Sequence, residues 1–226
     1  MAMVRKRNTR YLKRNEKFGI SLPKNVKEAL QLDKENGNTL WADAIATEMK
    51  NFKVAFKILN YGEMAPRDHQ FVKCHMIFDI NMENFRRKAR LVAGGHMTTS
   101  PADVTYASFV SRETVRISLT LSSLNDMEVQ CGDVLNAYIT SPVKEKIWTY
   151  LGPEHGDNEG KKAVIIRALY GLKSSGANFR AHLCECMAAL GYKPCLADPD
   201  IFGLNPRIRM VLIIIITFCA MLMTSW

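Results

Sequence analysis

Between Thr39 and Gly95 the spacing of apolar residues changes from helical to alternating, which restricts the chain to folds that combine helices with hairpins. Leu40, Trp41, Ala44, Ile45, Met49 and Phe52, with Glu48 among them, recur at steps of three and four. The pattern predicts a helix over Thr39–Phe56 that packs on the next elements of the chain, with Asn38 or Thr39 as its cap. The next stretches, Phe71–Asp79 and Phe85–Gly94, suit two strands joined by a turn over Asp79–Asn84. Arg86, Lys88 and Arg90 share one strand parity, so their side chains lie on one face. Gly94-Gly95 ends the second strand.

The same mixture continues. Val26–Leu32 and Arg112–Leu124 read as helices, and Glu128–Asp133 as a strand. Ile147–Leu151 and Ala163–Leu169 read as strands flanking a polar, Gly-rich loop at Gly152–Gly160. A helix over Ala177–Leu190 would present Phe179, Leu183, Met187 and Leu190 on one side, with Gly191 as its stop. No internal repeat or linker composition interrupts these elements. They predict one continuous α+β unit over residues 25–204, of mixed helices and antiparallel strands, between a basic arm (1–24) and an apolar tail (205–226).

An apolar content of 47% against 23% charged excludes disorder throughout. Of the formal charge of +9, Met1–Lys17 supplies +6, from seven Lys or Arg against Glu16 alone. Such an arm suits a phosphate backbone, and equally a solvated terminus. The six cysteines are unevenly spaced, no signal peptide opens the sequence, and Cys184-Glu185-Cys186 is too tight for a zinc pair. An intracellular protein with reduced thiols is expected, in cytoplasm or nucleus. Gly94-Gly95 lacks the spacing of a nucleotide-binding Gly-rich loop, and the five histidines fall in unlike elements. No Ser, His and Asp set proposes a triad.

Asp133 ends a strand, where an aspartate alone is as readily a turn or cap residue. Its surroundings say more. Trp41, Lys88-Ala89-Arg90-Leu91-Val92-Ala93-Gly94-Gly95, Asp133-Val134-Leu135-Asn136-Ala137-Tyr138, Leu169-Tyr170-Gly171-Leu172-Lys173 and Asp198-Pro199-Asp200-Ile201-Phe202 follow one another over about 160 residues. In that order they resemble the copia-type retrotransposon reverse transcriptases. The resemblance implies a partial right-hand polymerase fold, fingers and part of the palm, from an RNA-directed DNA polymerase that extends a primer on an RNA or DNA template with Mg²⁺ and deoxynucleoside triphosphates. It implies no specific protein partner.

By that resemblance Asp133 is the first catalytic carboxylate and a metal ligand, and Val134 offers its backbone carbonyl to the metal. Tyr138 lies under the sugar of the incoming nucleotide and clashes with a 2′-hydroxyl. Lys88 and Arg90 hold triphosphate oxygens, while Lys173 meets a template phosphate. Ser174 stands where the family has Gln, which weakens the template-side contact. Without the resemblance, Tyr138 reads as a core aromatic, and the basic strand and Lys173 as solvated surface.

Nucleotide addition needs two metal ions about 3.5–4 Å apart, held by several carboxylates. The family pattern calls next for Tyr-Val-Asp-Asp, but the chain reads Met210–Trp226, 17 residues with no charged side chain. Reverse-translated as GCT ATG TTG ATG ACA TCT TGG, the segment from Ala220 rereads in the neighbouring frame as TAT GTT GAT GAC ATC TTG, which spells Tyr-Val-Asp-Asp-Ile-Leu. A frameshift between about Phe202 and Val211 is therefore expected, with the tail as out-of-frame peptide. The tail falls short of the about 20 residues of a spanning helix, so a membrane is not expected. A non-catalytic nucleic-acid-binding remnant and a nonfunctional retroelement reading frame stand as the competing readings.

Overall fold

The computed structural model describes residues 16–99, 110–126, 129–132, 134–196, 198–203 and 212–215. Its elements are β1 (Glu16–Lys17), β2 (Ile20–Ser21), α1 (Val26–Asn36), α2 (Leu40–Phe52), β3 (Phe56–Ile58), β4 (Gln70–Phe71), β5 (Cys74–Ile80) and β6 (Arg87–Ala93). These are followed by α3 (Arg112–Leu124), β7 (Val129–Gly132), α4 (Ala137–Thr140), β8 (Ile147–Tyr150) and β9 (Lys162–Ile165). The series closes with α5 (Ser175–Ala189), β10 (Lys193–Pro194), β11 (Phe202–Gly203) and β12 (Leu212–Ile215). They gather into two compact units, Met1–Thr99 with Lys146–Leu172, and Ser100–Glu145 with Lys173–Trp226. The sequence reads as one unit because the chain passes between the two at Thr99, Glu145 and Leu172 without any Gly- or Pro-rich linker.

In the first unit, the Asn25 side chain accepts the Glu28 N–H at 2.9 Å and opens α1, which closes at left-handed Gly37 (φ 63°). The cap of α2 differs from expectation. Thr39 makes no side-chain cap bond, and Asn38 receives only the Leu40 N–H, at 3.3 Å. Buried Asp33 of α1 instead accepts the Trp41 and Ala42 N–H groups at 3.0 and 2.8 Å. The donors that α2 leaves unpaired are thus satisfied by the preceding helix. At its other end α2 stops at Phe52, a 3-10 turn occupies Lys53–Ala55, and Phe56 opens β3 rather than ending the helix.

The buried face of α2, formed by Trp41, Ile45, Met49 and Phe52, packs on the β5–β6 hairpin, whose buried residues are Met76, Phe78, Ile80, Ala89, Leu91 and Ala93. The Trp41 and Phe78 rings meet edge to face at 5.5 Å. Each buried Ile, Leu, Met or Phe among them contributes about 1.5–3 kcal/mol. The hairpin pairs Cys74 with Ala93 through Ile80 with Arg87, so its turn is Asn81–Arg86, with Phe85 left-handed (φ 54°). Arg86 lies in that turn, outside the strand. Phe71 also leaves the predicted strand: β4 pairs in parallel with β8 in a four-stranded sheet of order β3-β9-β8-β4.

In the second unit Ser111 accepts the Thr114 N–H at 3.0 Å and caps α3, which spans the predicted residues. Helix α5 buries Phe179 and Met187, but Leu190 is its C-cap and is exposed, unlike the expected fourth apolar contact. The Asp198–Phe202 segment is a structural corner. Asp198 accepts the Asp200 N–H at 3.0 Å, Asp200 pairs with Arg180 of α5 at 2.8 Å, and Ile201 and Phe202 are buried. From it β11 leads into a sheet of order β10-β11-β12-β7, where β12 runs parallel to β7 with Leu212 opposite Val129 and Ile215 opposite Gly132. Among the described residues no helix is long and apolar enough to cross a membrane.

Candidate functional site

Strand β6 alternates as its sequence dictates: Ala89, Leu91 and Ala93 face the core, while Lys88, Arg90 and Val92 face outward. Directly across the hairpin they meet Asp79, Ile77 and His75. Asp79 also receives Lys17 Nζ at 2.6 Å, which draws its carboxylate toward β1. Lys88 is exposed and Arg90 half-buried, with the Arg90 guanidinium 5.8 Å from the Tyr170 ring. A guanidinium over an aromatic ring is held in place while its N–H edge stays available.

Tyr170 reaches Arg90 because two distant segments of the chain interlock. The Ala93 N–H donates to the Tyr170 carbonyl at 2.8 Å, and Val92 and Tyr170 form a parallel bridge. Two glycines permit this approach. A Cβ on Gly95 would overlap the Gly171 carbonyl and stand 2.9 Å from Leu172 Cα. A Cβ on Gly171 would overlap the Ala93 carbonyl and stand 2.7 Å from Val92 Cγ1, and Gly171 has φ +90°. Gly95 is thus a packing residue and not a phosphate loop.

Glu48 is a contributor that the sequence placed only in the helical pattern. Its carboxylate accepts the Leu91 N–H at 3.0 Å, closing a donor on the edge of β6 that β5 does not use. Burial raises its pKa, against the Leu91 hydrogen bond and the nearby positive charges of Arg90 and Lys88, which lower it. The spacing of Trp41 and Glu48, seven residues apart on α2, brings both onto the hairpin: the ring rests on Phe78, and the carboxylate meets the edge strand.

Asp133 lies outside the described residues. Val134 follows it, half-buried, in a turn whose Asn136 is left-handed (φ 53°, ψ 41°) and leads into the single turn of α4. Asn tolerates this conformation better than other L-residues. Tyr138 is half-buried on α4, its ring edge-on to Phe179 of α5 at 6.2 Å, and its carbonyl accepts the Ser141 hydroxyl at 2.8 Å. Lys173 is half-buried just before α5. Ser174 is 2% exposed: its N–H donates to Glu145 at 3.0 Å, and its hydroxyl accepts from Asn178 at 3.1 Å. A buried Ser174 presents no side chain to a template.

Lys88 and Arg90 therefore belong to the first unit, and Val134, Tyr138 and Lys173 to the second. Among the described residues no three of His, Cys, Asp and Glu converge on one point. The described side chains alone do not fit a two-metal centre, which needs several carboxylates.

The reverse transcriptase (RNA-dependent DNA polymerase) family profile matches residues 61–225. The Retrovirus-related Pol polyprotein from transposon TNT 1-94 of Nicotiana tabacum is 25% identical over 191 residues, covering 80% of this chain and 14% of the polyprotein. The chain thus spans a small part of the length of that relative. No solved structure matches. With the family profile covering most of the chain, including both interlocked segments, the protein belongs to the copia-type reverse transcriptase (RNA-dependent DNA polymerase) family.

Proposed function

We propose that the first unit is the fingers and the second part of the palm of an RNA-directed DNA polymerase, and that Lys88 and Arg90 take the triphosphate oxygens of an incoming deoxynucleotide. The observation that carries this reading is the interlock of Val92–Gly95 with Tyr170-Gly171, which holds the Arg90 guanidinium over Tyr170 beside the outward-facing Lys88. Two cations on one strand face suit a polyphosphate, Arg by bidentate hydrogen bonds and Lys as a point charge.

In this reading Tyr138, braced on Phe179, lies against the sugar and excludes a 2′-hydroxyl, and Lys173 takes a template phosphate. Asp133 and the Val134 carbonyl belong to the Mg²⁺ side. Because the described donors do not complete that centre, no chemical step is assigned to it. A chain whose tail lacks the paired aspartates then binds template-primer and nucleotide without joining them.

The test is primer extension on an oligo(dT)-primed poly(rA) template, together with anisotropy of the same labelled duplex. The expected result is salt-sensitive binding without extension. Extension by the chain as written would refute the non-catalytic reading, and absence of binding would refute the polymerase reading itself.

A further inference from the structure

The four-stranded sheet of the first unit has one buried face and one open face. Phe56, Ile147, Thr149, Ala163 and Ile165 are buried. The register sets one residue of each strand side by side on the opposite face: Lys57 of β3 against Val164 of β9, Val164 against Trp148 of β8, and Trp148 against Phe71 of β4. Two residues further along β8, Tyr150 pairs with Lys162 on the same face. Phe71, Trp148 and Tyr150 form a triangle of rings with centroids 5.1, 5.2 and 5.9 Å apart. Phe71 is 41% and Tyr150 49% exposed.

Three adjoining aromatic rings on the open side of a sheet, with a lysine on the row and another beside Tyr150, combine the two elements that hold single-stranded nucleic acid without reading its sequence. Ring faces stack on unpaired bases, and cations follow the phosphates. Lys162, opposite Tyr150 in the register, has its Nζ 3.6 Å from the Met64 sulfur, a contact without a carboxylate. An apolar protein partner would be poorly served by the same lysines, whereas a polyanion is matched by them.

We propose that this face, built on Phe71, Trp148 and Tyr150 with Lys57 and Lys162, is a stacking platform for single-stranded nucleic acid. It lies on a different sheet from Lys88 and Arg90 and requires no metal. It therefore goes beyond the polymerase reading and does not depend on it: loss of primer extension leaves it intact.

The test uses the full chain and a fluorescein-labelled oligo(dT) 12-mer in EDTA, read by fluorescence anisotropy, with an abasic 12-mer as control. Trp148→Ala weakens oligo(dT) binding about 5- to 150-fold, as does the double variant Phe71→Ala/Tyr150→Ala, whose truncated rings are exposed. Trp148→Phe restores most of the affinity. Each of Lys57→Ala and Lys162→Ala makes the slope of log affinity against log salt shallower by about 0.7. The abasic strand binds more weakly than oligo(dT) and does not respond to the aromatic variants. No binding of oligo(dT) by the native chain, equal binding of the abasic strand, or full affinity in the folded Phe71→Ala/Tyr150→Ala variant would each overturn the proposal. The last result is also the one expected if the face is occupied by a protein instead.

Discussion

Replacing Gly171 by Ala tests the interlock that brings Tyr170 to Arg90. Gly171 has φ +90°, and an L-residue held at positive φ costs about 1–2 kcal/mol. The added Cβ would also overlap the Ala93 carbonyl and lie 2.7 Å from Val92 Cγ1, so the two segments must separate. Separation breaks the Ala93 N–H to Tyr170 carbonyl bond, and a buried donor left unsatisfied costs about 1–3 kcal/mol. Together the loss is about 3 kcal/mol. Gly62→Ala is the internal control, because Gly62 has φ +83° with nothing within 4 Å of its Cβ position, and it carries only the backbone cost of about 1 kcal/mol. Urea unfolding of the full chain, followed by circular dichroism, compares the two midpoints. If Gly171→Ala costs no more than Gly62→Ala, the close approach is not a constraint and the reasoning fails.

Three further outcomes rest on single contacts. Glu48→Ala leaves the Leu91 N–H on the β6 edge without its acceptor and lowers stability by about 1–3 kcal/mol, whereas Glu48→Gln retains an acceptor and stays near the native urea midpoint. Because burial raises the Glu48 pKa, its contribution is greatest below the unfolded carboxylate pKa and is lost as pH rises through the folded one. Asp33→Ala removes the acceptor for the first N–H groups of α2 and costs about 1–2 kcal/mol in the same assay, while Asp33→Asn costs less. Burial holds the His155 imidazole at about 4, so the unfolded chain takes up that proton first as pH falls below about 6.5. The resulting stability is complete above that pH and is lost toward pH 4, with buried Glu154, whose pKa is raised, acting in the opposite sense. A His155→Phe variant then loses less stability between pH 7 and pH 4.5 than the native chain, and an equal loss would exclude His155 as the source.

What could be read from the sequence was what depends on neighbours along the chain. The helix over Arg112–Leu124 has its cap, Ser111, one residue away, and the β5–β6 alternation is set by a local turn. Such periods are visible because burial selects one face. The misses are contacts across distance. Asp33 caps a helix eight residues on, and Phe71 leaves its apparent strand to pair with Trp148, a partner 77 positions away. Gly95 and Gly171 carry no local signal of one another. Lys88 and Arg90 were legible as one face from parity alone, yet the stacking of Arg90 on Tyr170 was not. Glu48 and Ser174 show the same limit: one reads only as a member of a helical pattern and completes a sheet edge, the other reads as a weakened template contact and is buried at a helix start.

The central claim is that the outward face of β6 holds a triphosphate, and equilibrium binding of a fluorescent deoxynucleoside triphosphate to the full chain tests it most directly. Arg90→Ala and Lys88→Ala should each weaken binding about tenfold or more, at about 1.5–3 kcal/mol per charged hydrogen bond, while Lys57→Ala on the other sheet leaves it unchanged. Equal affinity in the native chain and in both β6 variants would contradict the claim.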